Sequence, residues 1–221
     1  MKIKIFVLHY SKLIERKRSI IEQFIKHNII NYEFIEKYDK DEITDEESNL
    51  FIDTYIDTYN KGTMSLHLKH FYVYKEIAEK YESGLIFEDD VILCENFMEI
   101  LQLYISELDT YDMLFIGNGC NLHIDKDRIN PNQYMYKKNI NPSILEGDGA
   151  ARCCDSYIVS NKCSKKLCEY ISINSINKNK ITLPVDFWLN EVARYYNFDV
   201  FWAEPSIVIQ GSEYGLFSSS H

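Results

Sequence analysis

No apolar stretch in the 221 residues approaches the ~18 that a membrane-spanning helix needs. The opening run MKIKIFVLHY is apolar only briefly before charges follow, so it reads as a first β-strand and not as a signal peptide. Positive charge is also short: 24 Lys and Arg stand against 34 Asp and Glu, a formal charge of -10. That deficit argues against a nucleic-acid binder, whose affinity comes largely from basic contacts to phosphate, and against a polybasic membrane anchor. The six cysteines include no CxxC pair, and the adjacent Cys153-Cys154 suits neither a disulfide framework nor a tetrahedral zinc site. Free thiols in a reducing compartment are expected, and with them a cytoplasmic location. Internal repeats are absent. No glycine lies in Leu8-His9-Tyr10-Ser11-Lys12, where a nucleotidyltransferase would carry a Gly-rich phosphate loop after its first strand.

What is present is an ordinary soluble composition, 46% hydrophobic and 26% charged. The 17 Tyr and 12 Phe read equally well as polar-tipped groove lining and as compositional bias. Hydrophobic periodicity predicts strands at 2–8, 32–35, 85–87, 113–116, 156–159, 200–202 and 207–209. Helices are predicted from a Ser11 cap to about His27, burying Leu13, Ile14, Ile20, Ile21, Phe24 and Ile25, and at 65–81, 96–108, 162–171 and 185–196. Thr44-Asp45-Glu46-Glu47 is a capping-box pattern opening a polar helix through Ile52, and Lys61-Gly62-Thr63 reads as a break. Alternating strands and helices indicate an α/β fold with a mostly parallel sheet. A single domain is expected over 1–217, with a long loop or lid at 121–149, a polar linker at 174–180 and a frayed 218–221.

Ligands of such sheets bind beyond the carboxyl ends of the strands. Three ends carry suggestive residues: Leu8-His9, Glu88-Asp89-Asp90 and Gly117-Asn118. Three adjacent carboxylates repel one another, and burying them without a counter-ion is expensive. A hard divalent cation, Mn²⁺ or Mg²⁺, resolves this and keeps positions free for phosphate oxygens. A solvated acidic turn is the alternative. Asp186 follows a proline at a helix start, where the dipole favours a carboxylate whether it serves as a base or merely as a cap. Arg16 offers a planar fork for diphosphate or a base edge, or else lies on a helix surface. The start of the Ser65 helix offers amides to a phosphate, or is a plain cap. His67 reads as packing or a donor contact, and His67 with His70 as an improbable zinc pair.

These residues resemble glycosyltransferase family 25, the lipooligosaccharide and procollagen galactosyltransferases. The likeness runs through Ile5-Phe6-Val7-Leu8-His9-Tyr10 to Arg16, Ser65-Leu66-His67-Leu68, Leu85-Ile86-Phe87-Glu88-Asp89-Asp90-Val91 and Asp155-Ser156-Tyr157-Ile158-Val159-Ser160. It continues in Leu183-Pro184-Val185-Asp186-Phe187-Trp188-Leu189 and in Trp202-Ala203-Glu204-Pro205 with Ile207-Val208-Ile209-Gln210. The resemblance implies a GT-A-type, Rossmann-like fold and Mn²⁺-dependent transfer, with inversion, of galactose or glucose from a UDP-sugar to a glycan or protein hydroxyl. It implies Glu88 and Asp90 as metal ligands and Asp186 as base. Asp89 is expected at the sugar, the ribose or the metal through water. Arg152, Asp155 and Gln210 enter as groove residues by resemblance alone. His9-Tyr10 departs from the family's Asn-Leu, which leaves donor-base contacts open there. The competing readings are a Mg²⁺-dependent nucleotidyltransferase and a non-catalytic transferase-like module. Loss of the carboxylates would mark the module, yet all are present.

Overall fold

The computed structural model describes residues 3–51, 61–141, 149–177 and 179–217. In chain order it runs β1 (Ile3–Leu8), α1 (Ile14–Lys26), β2 (Tyr32–Ile35), α2 (Asp45–Ser48), α3 (Lys61–Lys80), β3 (Ser83–Glu88), β4 (Val91–Leu93), α4 (Phe97–Ser106), β5 (Met113–Phe115), β6 (Met135–Lys137), β7 (Ser156–Ser160), α5 (Asn161–Ile176), α6 (Val185–Tyr196), β8 (Val200–Ala203) and β9 (Val208–Gln210). Seven strands form one sheet in the order β2-β1-β3-β7-β5-β8-β6, and β4 pairs with β9 in a separate ribbon.

The α/β class is as expected, but the sheet is evenly mixed. β1 is parallel to β2 and β3, and β5 to β8. β7 runs antiparallel between β3 and β5, and β6 antiparallel on the edge. Successive side chains of a strand point to opposite faces, and the central strands are apolar on both. Phe6, Leu8, Ile86, Tyr157 and Val159 pack with α3, α5 and α6 through Val73, Tyr74, Leu167, Trp188 and Leu189. Ile5, Val7, Leu85, Phe87 and Ile158 pack with α1 and α4 through Ile20, Phe24, Phe97 and Leu101. Doubly covered strands of this kind read as continuous apolar runs.

Local departures from the sequence reading have physical causes. Ser11 caps nothing: α1 starts at Ile14 without a side-chain cap, and the Ser11 amide donates to Asp39 Oδ2 at 2.9 Å. Its buried stripe is Arg16, Ile20 and Phe24, an i, i+4 series, which leaves Ile14 and Ile25 exposed. Lys61-Gly62-Thr63 does not break the chain but begins α3, because Met64 and Leu68 extend the apolar stripe onto Ile43 and Phe51. Ser65 therefore lies in the second turn and has no helix-start amides to offer. The Thr44–Glu47 capping box is present, with Thr44 Oγ1 accepting from the Glu47 amide at 3.2 Å, but α2 is one turn long. Phe51 is fully buried and bridges Ile181, and Ile52 is outside the described residues. α5 continues to Ile176 through part of the expected linker. Within 121–149 the edge strand β6 forms against β8; residues 142–148 and 218–221 are outside the described set. Among the described residues, no helix is long and apolar enough to cross a membrane.

Candidate active site

The topology gathers four strand ends at one edge of the sheet. Parallel pairing sets Leu8 beside Glu88, so His9 and the Asp89-Asp90 turn follow together. Because β7 is antiparallel to β3 and β5, its amino end arrives there too: Ser156 faces Phe87, and the Glu88 amide donates to the Asp155 carbonyl at 2.8 Å. The Ile116 amide donates to the Ser156 carbonyl at 3.2 Å, which brings Gly117-Asn118 alongside. A β-carbon on Gly117 would lie 1.9 Å from Asp155 Oδ2 and 2.3 Å from Ser156 Oγ. Only glycine permits the carboxylate to pack there.

The carboxylates at this edge fall into two kinds. Asp89 is fully engaged: its Oδ2 lies 2.7 Å from His9 Nδ1 and accepts from the Tyr10 amide at 3.3 Å, and its Oδ1 accepts from Arg16 at 2.7 Å. Burial alone would raise its pKa, but the bonds from His9 and Arg16 outweigh burial and hold it below the usual range. Glu88, Asp90 and Asp155 are not compensated in this way. Asp90 and Asp155 are buried, and each keeps an Oδ1 with no hydrogen-bond partner among the described residues. Burial, then the charges of Asp90, Asp155 and Asp89, push Glu88 well above the ordinary carboxylate range, with Arg16 opposing. Burial raises Asp155 to about 7 although Ser156 Oγ donates to it at 2.9 Å.

Such a group of acidic oxygens suits a hard divalent cation. Among the described residues no three Asp, Glu, His or Cys side chains are placed to hold a metal ion between them. A cation beneath a diphosphate needs fewer protein ligands, since phosphate oxygens and water complete its shell. The unbonded oxygens of Asp90 and Asp155 fit that demand.

Beside the acidic edge a cleft of about 60 Å³ is lined by Leu8, His9, Arg16, Ser65, Glu88 and Asp89 among others. These are donor-site candidates that the fold brings together. His9 is fully buried, with Nε2 unpartnered. Arg16 is buried and not a surface residue; besides Asp89 it reaches Asp90 at 3.9 Å and lies over the Phe217 ring. Ser65 Oγ donates to the Tyr38 carbonyl at 2.6 Å. Asn118 donates from its side chain to Tyr214 Oη at 3.1 Å, while its Oδ1 is buried without a partner. Gln210, half-buried on β9, pairs in register with Val91 beyond the acidic turn.

Asp186 is in the first turn of α6, and Pro184 occupies the cap position, so Asp186 is not the N-cap. Its Oδ1 accepts from the Phe187 amide at 2.9 Å, and burial keeps its pKa raised despite that bond. Burial, then the charges of Asp186 and Glu88, push the buried Cys154 thiol well above its ordinary range. His67 is elsewhere. It is fully buried, with neither ring nitrogen bonded among the described residues and its ring against Phe51, Phe71 and Trp188 at 5.7, 4.8 and 5.7 Å. Burial lowers its pKa to about 3. Arg152 is fully buried as a structural tie: it donates to the carbonyls of Leu122 and Ala203 at 2.6 and 2.8 Å and to Glu204 at 2.7 Å.

Two participants escaped the sequence reading. Lys69, buried one turn after Ser65, donates to the carbonyls of His9 and Ile35 and to Asp39, fixing the backbone at the end of β1. Its spacing from Ser65 was the only signal, since lysines on helices are ordinarily exposed. Tyr214, in the turn after β9, reaches Asn118 from 96 positions away, with no local pattern to announce it.

Comparison with known proteins adds three findings. Residues 2–189 match the profile described as glycosyltransferase family 25 (LPS biosynthesis protein). Over 114 residues, 48% of this chain, the sequence is 31% identical to a procollagen lysyl hydroxylase and glycosyltransferase of Acanthamoeba polyphaga mimivirus; the match spans 11% of that longer protein. A solved structure of a glycosyltransferase involved in the glycosylation of the major capsid of PBCV-1 aligns over 93% of this chain and 94% of its own, at 12% identity and a TM-score of 0.36.

Proposed function

The chain belongs to glycosyltransferase family 25, and from that premise we propose that it transfers galactose or glucose from a UDP-sugar to a glycan or protein hydroxyl, with inversion at the sugar. The observation that carries this reading is the uncompensated Glu88–Asp90–Asp155 group at the strand ends, with unbonded oxygens on Asp90 and Asp155. Glu88 and Asp90 would hold Mn²⁺ or Mg²⁺, with Asp155 alongside. The cation supplies neutralisation of the charge that develops on the leaving diphosphate.

The chain's own residues have separable tasks. Asp89, held by His9 and Arg16, locks the ends of β1 and β3 together and leaves its neighbours to face the donor. Partly exposed Glu88, which lines the cleft with His9, Arg16 and Ser65, offers a polar contact to the donor. Asp186 takes the proton of the acceptor hydroxyl. Its raised pKa makes it a stronger base than a tightly capped carboxylate would be. The carboxylates also weigh against the non-catalytic reading, since a module without turnover has no use for like charges crowded at one edge with an oxygen of Asp90 and of Asp155 left unbonded.

The test is UDP release from a panel of UDP-sugars with Mn²⁺ or with EDTA, for the wild type and Asp186→Asn. Metal-dependent hydrolysis of one donor, accelerated by acceptor only when Asp186 is intact, supports the assignment and names the sugar. Absence of both turnover and metal-dependent UDP binding sinks it in favour of the non-catalytic module.

A further inference from the structure

All six cysteines are free thiols, and two of them meet. Cys120 lies in a one-turn 3₁₀ segment (Gly119–Asn121) that follows β5, and Cys153 in the segment leading into β7. Their sulfurs are 3.0 Å apart, about 1 Å beyond the ~2.05 Å of a disulfide bond. The approach is built by the backbone. Gly119 packs so tightly against the second segment that a β-carbon there would lie 2.6 Å from Cys153 Cβ and 2.8 Å from the Arg152 carbonyl. Both cysteines adopt positive φ, 52° and 51°, a conformation that non-glycine residues seldom take. Cys120 is exposed, so a reagent can reach it, and its amide is anchored to Glu213 Oε1 at 3.1 Å.

We propose that Cys120 and Cys153 form a redox-driven disulfide that closes the excursion between β5 and β7 at its base. The inference goes beyond the transferase reading and does not depend on it. The oxidant is a small-molecule or protein disulfide. The Cys120 thiol gives up its proton and its sulfur attacks one sulfur of the oxidant; the oxidant's S–S bond breaks and one thiol leaves with that proton. Cys153 then displaces the second thiol in the same way. Two protein thiols are thereby oxidised by two electrons and the external disulfide is reduced to two thiols. Cys154, adjacent in sequence but buried, takes no part.

The full-length protein is equilibrated with oxidised and reduced glutathione over a range of ratios. It is then quenched with N-ethylmaleimide, weighed intact and mapped by peptide mass. The expected oxidised form has lost two alkylatable thiols of its six, yields a Cys120–Cys153 linked peptide, and melts roughly 5–10 °C higher because a long loop has been closed. In Cys153→Ser the reaction stops at a glutathione adduct on Cys120, and in Cys120→Ser Cys153 is not oxidised. Six alkylated thiols at every ratio, a persistent glutathione adduct on wild-type Cys120, or a linked peptide containing Cys154 would each overturn the proposal.

Discussion

Two buried groups of charge in this molecule are treated in opposite ways. Around Arg152 every nitrogen has a partner: two carbonyls, Glu204 and His123 surround a guanidinium that has no exposed surface and lies 5.0 Å from the Trp202 ring centroid. At the acidic edge, Asp90 and Asp155 are equally buried, yet each keeps an oxygen without a partner, and the neighbouring charges raise Glu88 further. Burying a satisfied ion pair holds two segments in place, whereas burying like charges unpaired costs stability. The first region is the fold's own tie between 122–124, 152 and 203–204. The second is a cost that a bound cation would offset.

The contrast can be broken most severely at Asp90. Asp90→Asn is expected to lower metal-dependent turnover by about 10³-fold while leaving the melting temperature unchanged or raised, measured by donor hydrolysis and calorimetry. Unchanged turnover would remove Asp90 from the site. Arg152→Met should do the reverse. Stability falls by about 3 kcal/mol in urea denaturation, because buried Glu204 loses its guanidinium partner and keeps His123 and the Ile124 amide, and residual folded protein retains its metal response.

Asp155→Asn sharpens the comparison through pH. A carboxyl raised from 3.8 to about 7 favours folding only while protonated, so wild-type stability from this group is lost as pH rises from about 4 through 7. The variant, which has no such charge, should be more stable than the wild type by an amount that grows across that window and levels at about 4 kcal/mol above it. Saturating Mn²⁺ should shrink the difference, and a difference that is flat with pH would contradict the assignment. The smallest effect belongs to His67. His67→Leu removes two buried unpartnered nitrogens and should stabilise by about 1 kcal/mol at pH 7. The folded pKa of His67 is depressed to about 3, so the gain should widen as pH falls below 6.5.

What the sequence made legible follows from the range over which each feature is encoded. The long strands and helices announce themselves through apolar runs and local periodicity, and so does the acidic triplet at the end of a Leu-Ile-Phe strand. The three-residue strands β4 and β6 are set by pairing with distant partners and leave almost no local signal. Nothing near Asp89 in the chain shows that Arg16, 73 residues away, takes one oxygen while His9 takes the other. Asp155 was reached by resemblance alone. Only the antiparallel insertion of β7 brings it beside Glu88, and a mostly parallel sheet would have put the start of that strand at the opposite edge.

The central claim, that the uncompensated carboxylates form a cation site which completes itself with a nucleotide diphosphate, is tested most directly by calorimetric titration of Mn²⁺ into the full-length protein with and without UDP. The account predicts weak binding of one Mn²⁺ alone, at least tenfold tighter binding with UDP present, and loss of that coupling in Asp90→Asn. Mn²⁺ affinity that is the same with and without UDP, or UDP binding that is indifferent to EDTA, would contradict it.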